Sequence, residues 1–408
     1  MEFVGSNRIR DLPLFITLIC LLVFGELAIY SASVQQAGEV IRRQDYYLRQ
    51  LLWIAIAIGL LFLIMYTSQA GVERLIIPFY LLVLILLILV LLLPGIKGVH
   101  RWITIGSLGI QPSEFAKLAS ILLIGKLISK SYMPQWKKIV IAFLVIIPPI
   151  ILIARQPDLS TAVIMLLVCF PILYFAGVSL FVICLILSPF ISILVGFSLP
   201  LWIIFDLILL ILLYWKKIPL FLSSVVLIGN AFISFLAPYF WSNLQEYQRQ
   251  RILAFLNPTS DVLGSGYQTI QSRIAVGSGG LLGKGFLQGT QKNFDFIPEQ
   301  HTDFIFSVIG EETGFFGCTI LILLFLLLAW RIILVLKRNQ NAEQRIVIAG
   351  ILSYIVIQAV LNIGMNIGIF PVMGIPLPFI SYGGSSLLVN TAAIGLIIKF
   401  DNERRFIE

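Results

Sequence analysis

The sequence predicts an all-α, polytopic integral membrane protein of about 10 to 12 transmembrane helices with one large extracytoplasmic loop. Three observations carry this. Hydrophobic residues make up 59% of the 408 residues, charged residues only 12%, and mean hydropathy is +1.01, which excludes an ordinary soluble enzyme. The apolar residues gather in runs close to the length of about 20 that spans a bilayer. Basic residues mark alternate ends of those runs.

In order, the runs are 12–33, 49–66, 74–94, 113–129, 138–154, 159–176, 179–198, 200–215, 219–239, 304–336, 346–369 and 376–399. The fourth and eighth are short, and the eighth carries Asp206, which sets the lower bound on the count. The first follows Arg8 and Arg10 and precedes Ser31–Ser33, but it is too long for the apolar part of a signal peptide and reads as a retained helix. With the N-terminus inside, Arg8, Arg10, Arg74, Lys130, Lys137, Lys138, Lys216, Lys217, Arg331, Lys337, Arg338, Arg345, Lys399, Arg404 and Arg405 fall on the cytoplasmic side. The short outer loops hold Arg42, Arg43, Arg49, Lys97, Arg101 and Arg155. Both termini are therefore expected in the cytoplasm and the loop 240–303 outside.

The net charge of +8 follows from this topology, and no soluble basic domain with interleaved aromatics speaks for nucleic acid. Cys20, Cys169, Cys184 and Cys318 lie within apolar runs without paired spacing, as packing residues do. There is no repeat and no separate soluble domain, so 1–408 reads as a single membrane domain.

The polar loop opens with Arg249, Arg251, Leu253 and Phe255, the pattern of a short amphipathic helix ended by Asn257 and Pro258. A glycine-rich stretch follows, but neither phosphate-loop pattern fits it: Gly285 stands after Lys284 where Ser or Thr is needed, and Leu282 stands where the dinucleotide fingerprint needs its last glycine. It reads as a flexible, lid-like or re-entrant loop able to approach a ligand with its backbone.

Ionisable residues at the edges of apolar runs mark the candidate site, because charge at membrane depth is costly. Pro298–Glu312 brings His301, Asp303, Glu311 and Glu312 to the start of the run at Phe304. A plain helix cap at Thr302 or Asp303 is the blander account. Arg101 and Trp102 precede a helix with Glu114 and Lys117 three apart on one face, an arrangement that also suits a simple neutralising pair. Arg155 and Asp158 sit at another outer junction. Pro371, Pro376 and Pro378 with Gly383, Gly384, Ser385 and Ser386 suggest a broken helix lining a polar cavity, or a kinked packing helix.

Taken together, KGVHRWI with QPSEFAKL, RQPDLSTA, YQRQRI, GYQTIQSRIAVGSGGLLGKGF, PEQHTDFIFSVIGEE and GIPLPFISYGGSS resemble the SEDS family (shape, elongation, division, sporulation) of bacterial cell-wall polymerases. Within it they are closer to the rod-shape branch than to the division branch. The resemblance implies a peptidoglycan glycosyltransferase that polymerises lipid II on the outer face of the bacterial cytoplasmic membrane, with Asp303 as the family's essential loop aspartate. Trp102, Glu114, Lys117 and Asp158 match its tryptophan and polar cavity positions. It also implies a class B penicillin-binding protein and other elongation-complex membrane proteins as partners. One departure stands out: the resemblance implies one helix between Val178 and Trp241, and this chain has room for three, so 178–240 holds extra helices.

An α-linked donor and a β-1,4 product require inversion, hence one base and one stabiliser for the departing pyrophosphate. Asp303 is the expected base on the acceptor hydroxyl, its pKa raised by burial and lowered by nearby cations. Arg49, Arg101, Lys117 and Arg155 are the expected cations, with Ser385 and Ser386 in the cavity. A divalent cation could share that work, although no ligand spacing demands a metal and no other cofactor is implied. A flippase for the same lipid would also have many helices and broken segments but would need no base outside. An inactive scaffold would leave the charged outer cavity unexplained.

Overall fold

The computed structural model describes residues 10–37, 40–43, 45–93, 101–105, 108–257, 265–293 and 300–403. Arg8, Lys97, Pro258, Pro298, Arg404 and Arg405 lie outside these. Each expected run contains one helix: α1 (Leu12–Ser33), α2 (Tyr46–Tyr66), α3 (Gln69–Leu92), α4 (Pro112–Ile128), α5 (Gln135–Arg155), α6 (Leu159–Phe175), α7 (Leu180–Val195), α8 (Leu199–Trp215), α9 (Leu220–Ser242), then α13 (Ile305–Arg338), α14 (Ala342–Asn366) and α15 (Gly384–Glu403). Among them α1, α2, α3, α5, α9, α13 and α14 are long and apolar enough to cross a membrane, while α6, α7 and α8 are apolar but shorter. At 17, 16 and 17 residues these three reach about 25 Å, just short of a hydrocarbon core of about 30 Å.

Helices α4 and α15 explain their own position. They carry Ser113, Glu114, Lys117, Ser385, Ser386, Asn390 and Lys399, too polar for lipid, and nearly every residue of both is buried among other helices. α15 packs on α2, α14 on α6, α3 on α4 and α1 on α13. α7, α8 and α9 form a group of their own, whose main contact with the rest is α7 against α6.

Two ends are defined by hydrogen bonds. At one, Arg331 grips Asp11 at 2.8 Å, Lys126 reaches the Glu73 carbonyl at 2.6 Å and Lys399 reaches the Thr67 carbonyl, which gathers the start of α1 and the ends of α2, α13 and α15. At the other, Gln111 contacts Asp158 and Ser385, bringing together the starts of α4, α6 and α15. The chain's two described extremities thus share one end, opposite the second cluster.

Four elements depart from expectation. Two small antiparallel hairpins appear, β1 (Val34–Ala37) with β2 (Val40–Arg43) and β3 (Ile103–Ile105) with β4 (Leu108–Ile110). The last helix begins at Gly384, not at 376, because Pro376 and Pro378 offer no amide hydrogen and Gly374 and Phe379 adopt positive φ of 67° and 65°. The expected amphipathic helix, α10 (Glu246–Leu256), ends at Asn257, but the glycine-rich stretch after it also carries helices, α11 (Ser265–Ser278) and the short α12 (Thr290–Asn293).

The fourth departure is a break inside α13 at Gly314, with φ 63° and ψ −159°. The turn after α11 fills it: a Cβ on Gly314 would stand 2.3 Å from the Gly283 nitrogen. The Phe315 and Phe316 amides bond the Gly280 and Leu281 carbonyls at 2.9 and 3.2 Å, and the Lys284 and Gly285 amides bond the Glu311 and Glu312 carbonyls at 2.9 and 3.1 Å. The loop backbone thus satisfies groups the broken helix leaves open. Far from a free lid, this stretch is docked, and Lys284 clamps it through a 2.7 Å ion pair to buried Glu311.

Candidate functional site

A cavity of about 370 Å³ opens where α4, α6, α13 and α15 begin, closed by the β3–β4 hairpin, the 374–376 segment and α14. Asp303, Trp102, Arg101, Glu114, Lys117, Asp158, Ser385 and Ser386 all line it. Residues some 280 apart in sequence meet here because their helices begin at the same end.

Asp303 is half-buried and lies just ahead of α13, whose N-cap is Phe304 without any side-chain capping bond. The N-cap position thus falls on Phe304 rather than on Thr302 or Asp303. The backbone before it is gripped: Ser381 Oγ donates to the Thr302 carbonyl at 2.6 Å, and the Tyr382 amide donates to the His301 carbonyl at 2.9 Å. The carboxylate faces the cavity beside Gly374, where a Cβ would come within 3.3 Å of Oδ2.

Lys117 Nζ meets both Glu114 oxygens at 2.9 and 2.8 Å, each residue only 3% exposed, and sits 4.8 Å from the centre of the Tyr354 ring. The Tyr354 hydroxyl bonds Asn390 Oδ1, and Asn390 Nδ2 reaches Ser386 Oγ at 3.2 Å. Asp158 caps α6 through the Thr161 amide at 3.3 Å and also takes the Thr161 hydroxyl at 2.9 Å and Gln111 Nε2 at 3.2 Å. Ser385 Oγ accepts the Gln111 amide at 2.9 Å. Arg101 is tied to the turn after α5, Nε donating to the Gln156 carbonyl at 2.9 Å and a terminal nitrogen to the Pro157 carbonyl. Trp102 folds over Gly109 of its own hairpin, where a Cβ would lie 3.1 Å from the ring.

Two expected cations stand elsewhere. Arg155 is exposed at the end of α5 and does not line the cavity: the turn through Pro157, with φ 24°, buries Gln156 and Asp158 and leaves Arg155 outward. Arg49 is exposed on α2 and does not line the cavity, although its charge acts on Tyr382, which does. Burial pushes the Tyr382 phenol up from its ordinary value and Arg49 draws it back.

Among the described residues, the ionisable groups lining the cavity are then three carboxylates, Glu114, Asp158 and Asp303, two cations, Arg101 and Lys117, and the Tyr382 phenol. Further positive potential comes from the helix starts, each worth about half a charge. Among the described residues no three His, Cys, Asp or Glu converge as a metal site; His100 lies outside them. Sequence reasoning missed Gln358, which lines the cavity, and its neighbours Asn362 and Asn366; the available signal was their spacing of four along α14.

Helices that begin together around a polar cavity, on a scaffold of apolar spans, define a membrane enzyme or carrier of the polytopic class. The chain belongs to the FtsW/RodA/SpoVE family, described as cell cycle protein, whose model matches residues 12–205 and 198–406. The two matches overlap over residues 198–205, at the start of α8. The peptidoglycan glycosyltransferase MrdB of Escherichia coli K12 is 36% identical, covering 97% of this chain and 95% of that protein. The peptidoglycan glycosyltransferase RodA of Treponema pallidum is 32% identical, covering 96% and 97%. A solved structure described as structural coordination of polymerization and crosslinking by a peptidoglycan synthase complex superposes with a TM-score of 0.70 at 28% identity, covering 97% of this chain and 98% of that one.

Proposed function

We propose that this protein is a peptidoglycan glycosyltransferase that polymerises lipid II into β-1,4 glycan strands for cell-wall elongation and rod shape. In this reading it lies in the bacterial cytoplasmic membrane with the cavity end outside and both termini in the cytoplasm. A class B penicillin-binding protein and other elongation-complex proteins are its partners.

The observation that carries the reading is Asp303: a half-buried carboxylate at the wall of a polar cavity, its backbone carbonyl held by the side-chain amides of Asn362 and Asn366. Asp303 takes the proton of the acceptor 4-hydroxyl as that oxygen attacks the anomeric carbon of the donor. The bond from that carbon to the pyrophosphate breaks on the opposite face, which inverts the centre and releases the lipid pyrophosphate. Such a base contributes about 10² to 10⁴ in rate. Arg101, Lys117 and the starts of α4 and α15 supply the positive potential for the departing anion. A second cavity of about 510 Å³, almost wholly apolar and built from α2, α3, α4 and α15, lies across α4 from the first and suits a lipid-linked substrate.

Purified protein given labelled lipid II tests this directly. Glycan chains are expected. Movement of lipid II between leaflets of a proteoliposome, with no polymer formed, would replace the polymerase with a transporter.

A further inference from the structure

Four polar residues recur at every fourth position of α14, Tyr354, Gln358, Asn362 and Asn366, and all are fully buried. That spacing aligns them on one face. Two of them converge on one atom. Asn362 Nδ2 donates to the main-chain carbonyl of Asp303 at 2.9 Å, and Asn366 Nδ2 donates to the same carbonyl at 3.0 Å.

Both amides are fixed by their other bonds. Asn366 Oδ1 accepts the Ser307 amide at 3.2 Å and the Ser307 hydroxyl at 2.5 Å, so a flipped side chain would oppose donor to donor. Asn362 Nδ2 also donates to the Ile375 carbonyl at 2.6 Å. Asn362 therefore holds the backbone of Asp303 and the wall beside the Asp303 carboxylate, Gly374–Ile375, from a single nitrogen. The Ser307 amide, which in a continuing helix would serve the Asp303 carbonyl, turns to Phe304 and Asn366 instead. The two side chains thus replace helical hydrogen bonding at the residue just outside α13.

We infer that Asn362 and Asn366 are positioning residues that set the Asp303 carboxylate against the acceptor hydroxyl, a role that rests on Asp303 being the base. Neither side chain enters the bond changes. A bound substrate and a misplaced base have a distinct kinetic sign: displacement of about 1 Å costs on the order of 10²-fold in turnover, while substrate contacts made by the rest of the cavity persist.

The test compares Asn362→Ala and Asn366→Ala with Asn230→Ala, a polar deletion in α9 far from the cavity, in purified protein turning over labelled lipid II. Expected is a fall in kcat of about 10²-fold at unchanged KM for the two α14 variants, with Asn230→Ala keeping wild-type kcat and KM. Where an alanine variant does not purify, Asn362→Ser and Asn366→Ser, which keep a donor of shorter reach, are read in its place and should fall between. Wild-type kcat in the α14 variants overturns the inference. So does a loss of kcat that matches the lowering of Tm in all three variants, since packing alone would do that. Asp303→Asn measured alongside separates the two layers: if it stays active the base reading fails, and if it is inactive while the asparagine variants work, only the clamp fails.

Discussion

The α7–α9 group and the ring of helix starts around the cavity both bury polar side chains among apolar helices, and they use them in opposite ways. Across α7 and α9, Ser192 Oγ donates to Asn230 Oδ1 at 2.7 Å, Ser234 Oγ to the Ser192 carbonyl at 3.0 Å and Asn230 Nδ2 to the Val226 carbonyl at 2.8 Å. Those bonds close on one another at a tight contact, where a Cβ on Gly196 would stand 2.4 Å from the Ser234 carbonyl oxygen. That is helix glue of the small-residue kind. Around the cavity, Glu114, Lys117, Asp158 and Ser385 are equally well bonded, yet each keeps a face on about 370 Å³ of unfilled space. A polar residue in an apolar run marks a site only where its neighbours leave volume beside it.

Thiol labelling separates the two ends of the molecule, with an expected effect of all or none. In a background without the native cysteines, Ser265→Cys and Gln288→Cys belong to the cavity end and should react with a membrane-impermeant thiol reagent in intact spheroplasts. Asn339→Cys and Asn402→Cys belong to the other end and should react only after permeabilisation. The reverse pattern would put the cavity inside.

Removing Glu114 or Lys117 alone leaves an unpaired buried charge and should cost about 3–5 kcal/mol, with Glu114→Gln/Lys117→Met together costing less than the sum. Strict additivity in thermal unfolding would show that the pair does not act as one. Gly196→Leu should cost about 1–3 kcal/mol by forcing α7 from α9, with lipid II turnover intact. The smallest effect is Asn230→Ala, about 0.6 kcal/mol as for membrane hydrogen bonds in general, and a drop in turnover from it would erase the distinction between the two regions.

Much of the fold was legible because an apolar run has little choice in a bilayer, and Asp303 stood out because it is charged beside such a run. What escaped depends on distant partners. The break in α13 rests on Gly314, one of 31 glycines, and becomes a break only where the turn after α11 docks into it. Arg155 and Asp158 are three residues apart, and only the backbone of Pro157 decides which faces inward. The hairpins at Val34–Arg43 and Ile103–Ile110 are too short for alternation to announce. Asn362 and Asn366 looked like ordinary polar residues of a helix, since their shared target, the Asp303 carbonyl, has no trace in the sequence.

The central claim is that glycosyl transfer happens in this cavity with Asp303 as base, and Asp303→Asn tests it most directly because it keeps size and hydrogen bonding while removing basicity. Polymer yield from labelled lipid II should fall by about 10² to 10⁴, with Tm in detergent and lipid II binding unchanged. A folded Asp303→Asn protein that makes near wild-type amounts of glycan would contradict the account.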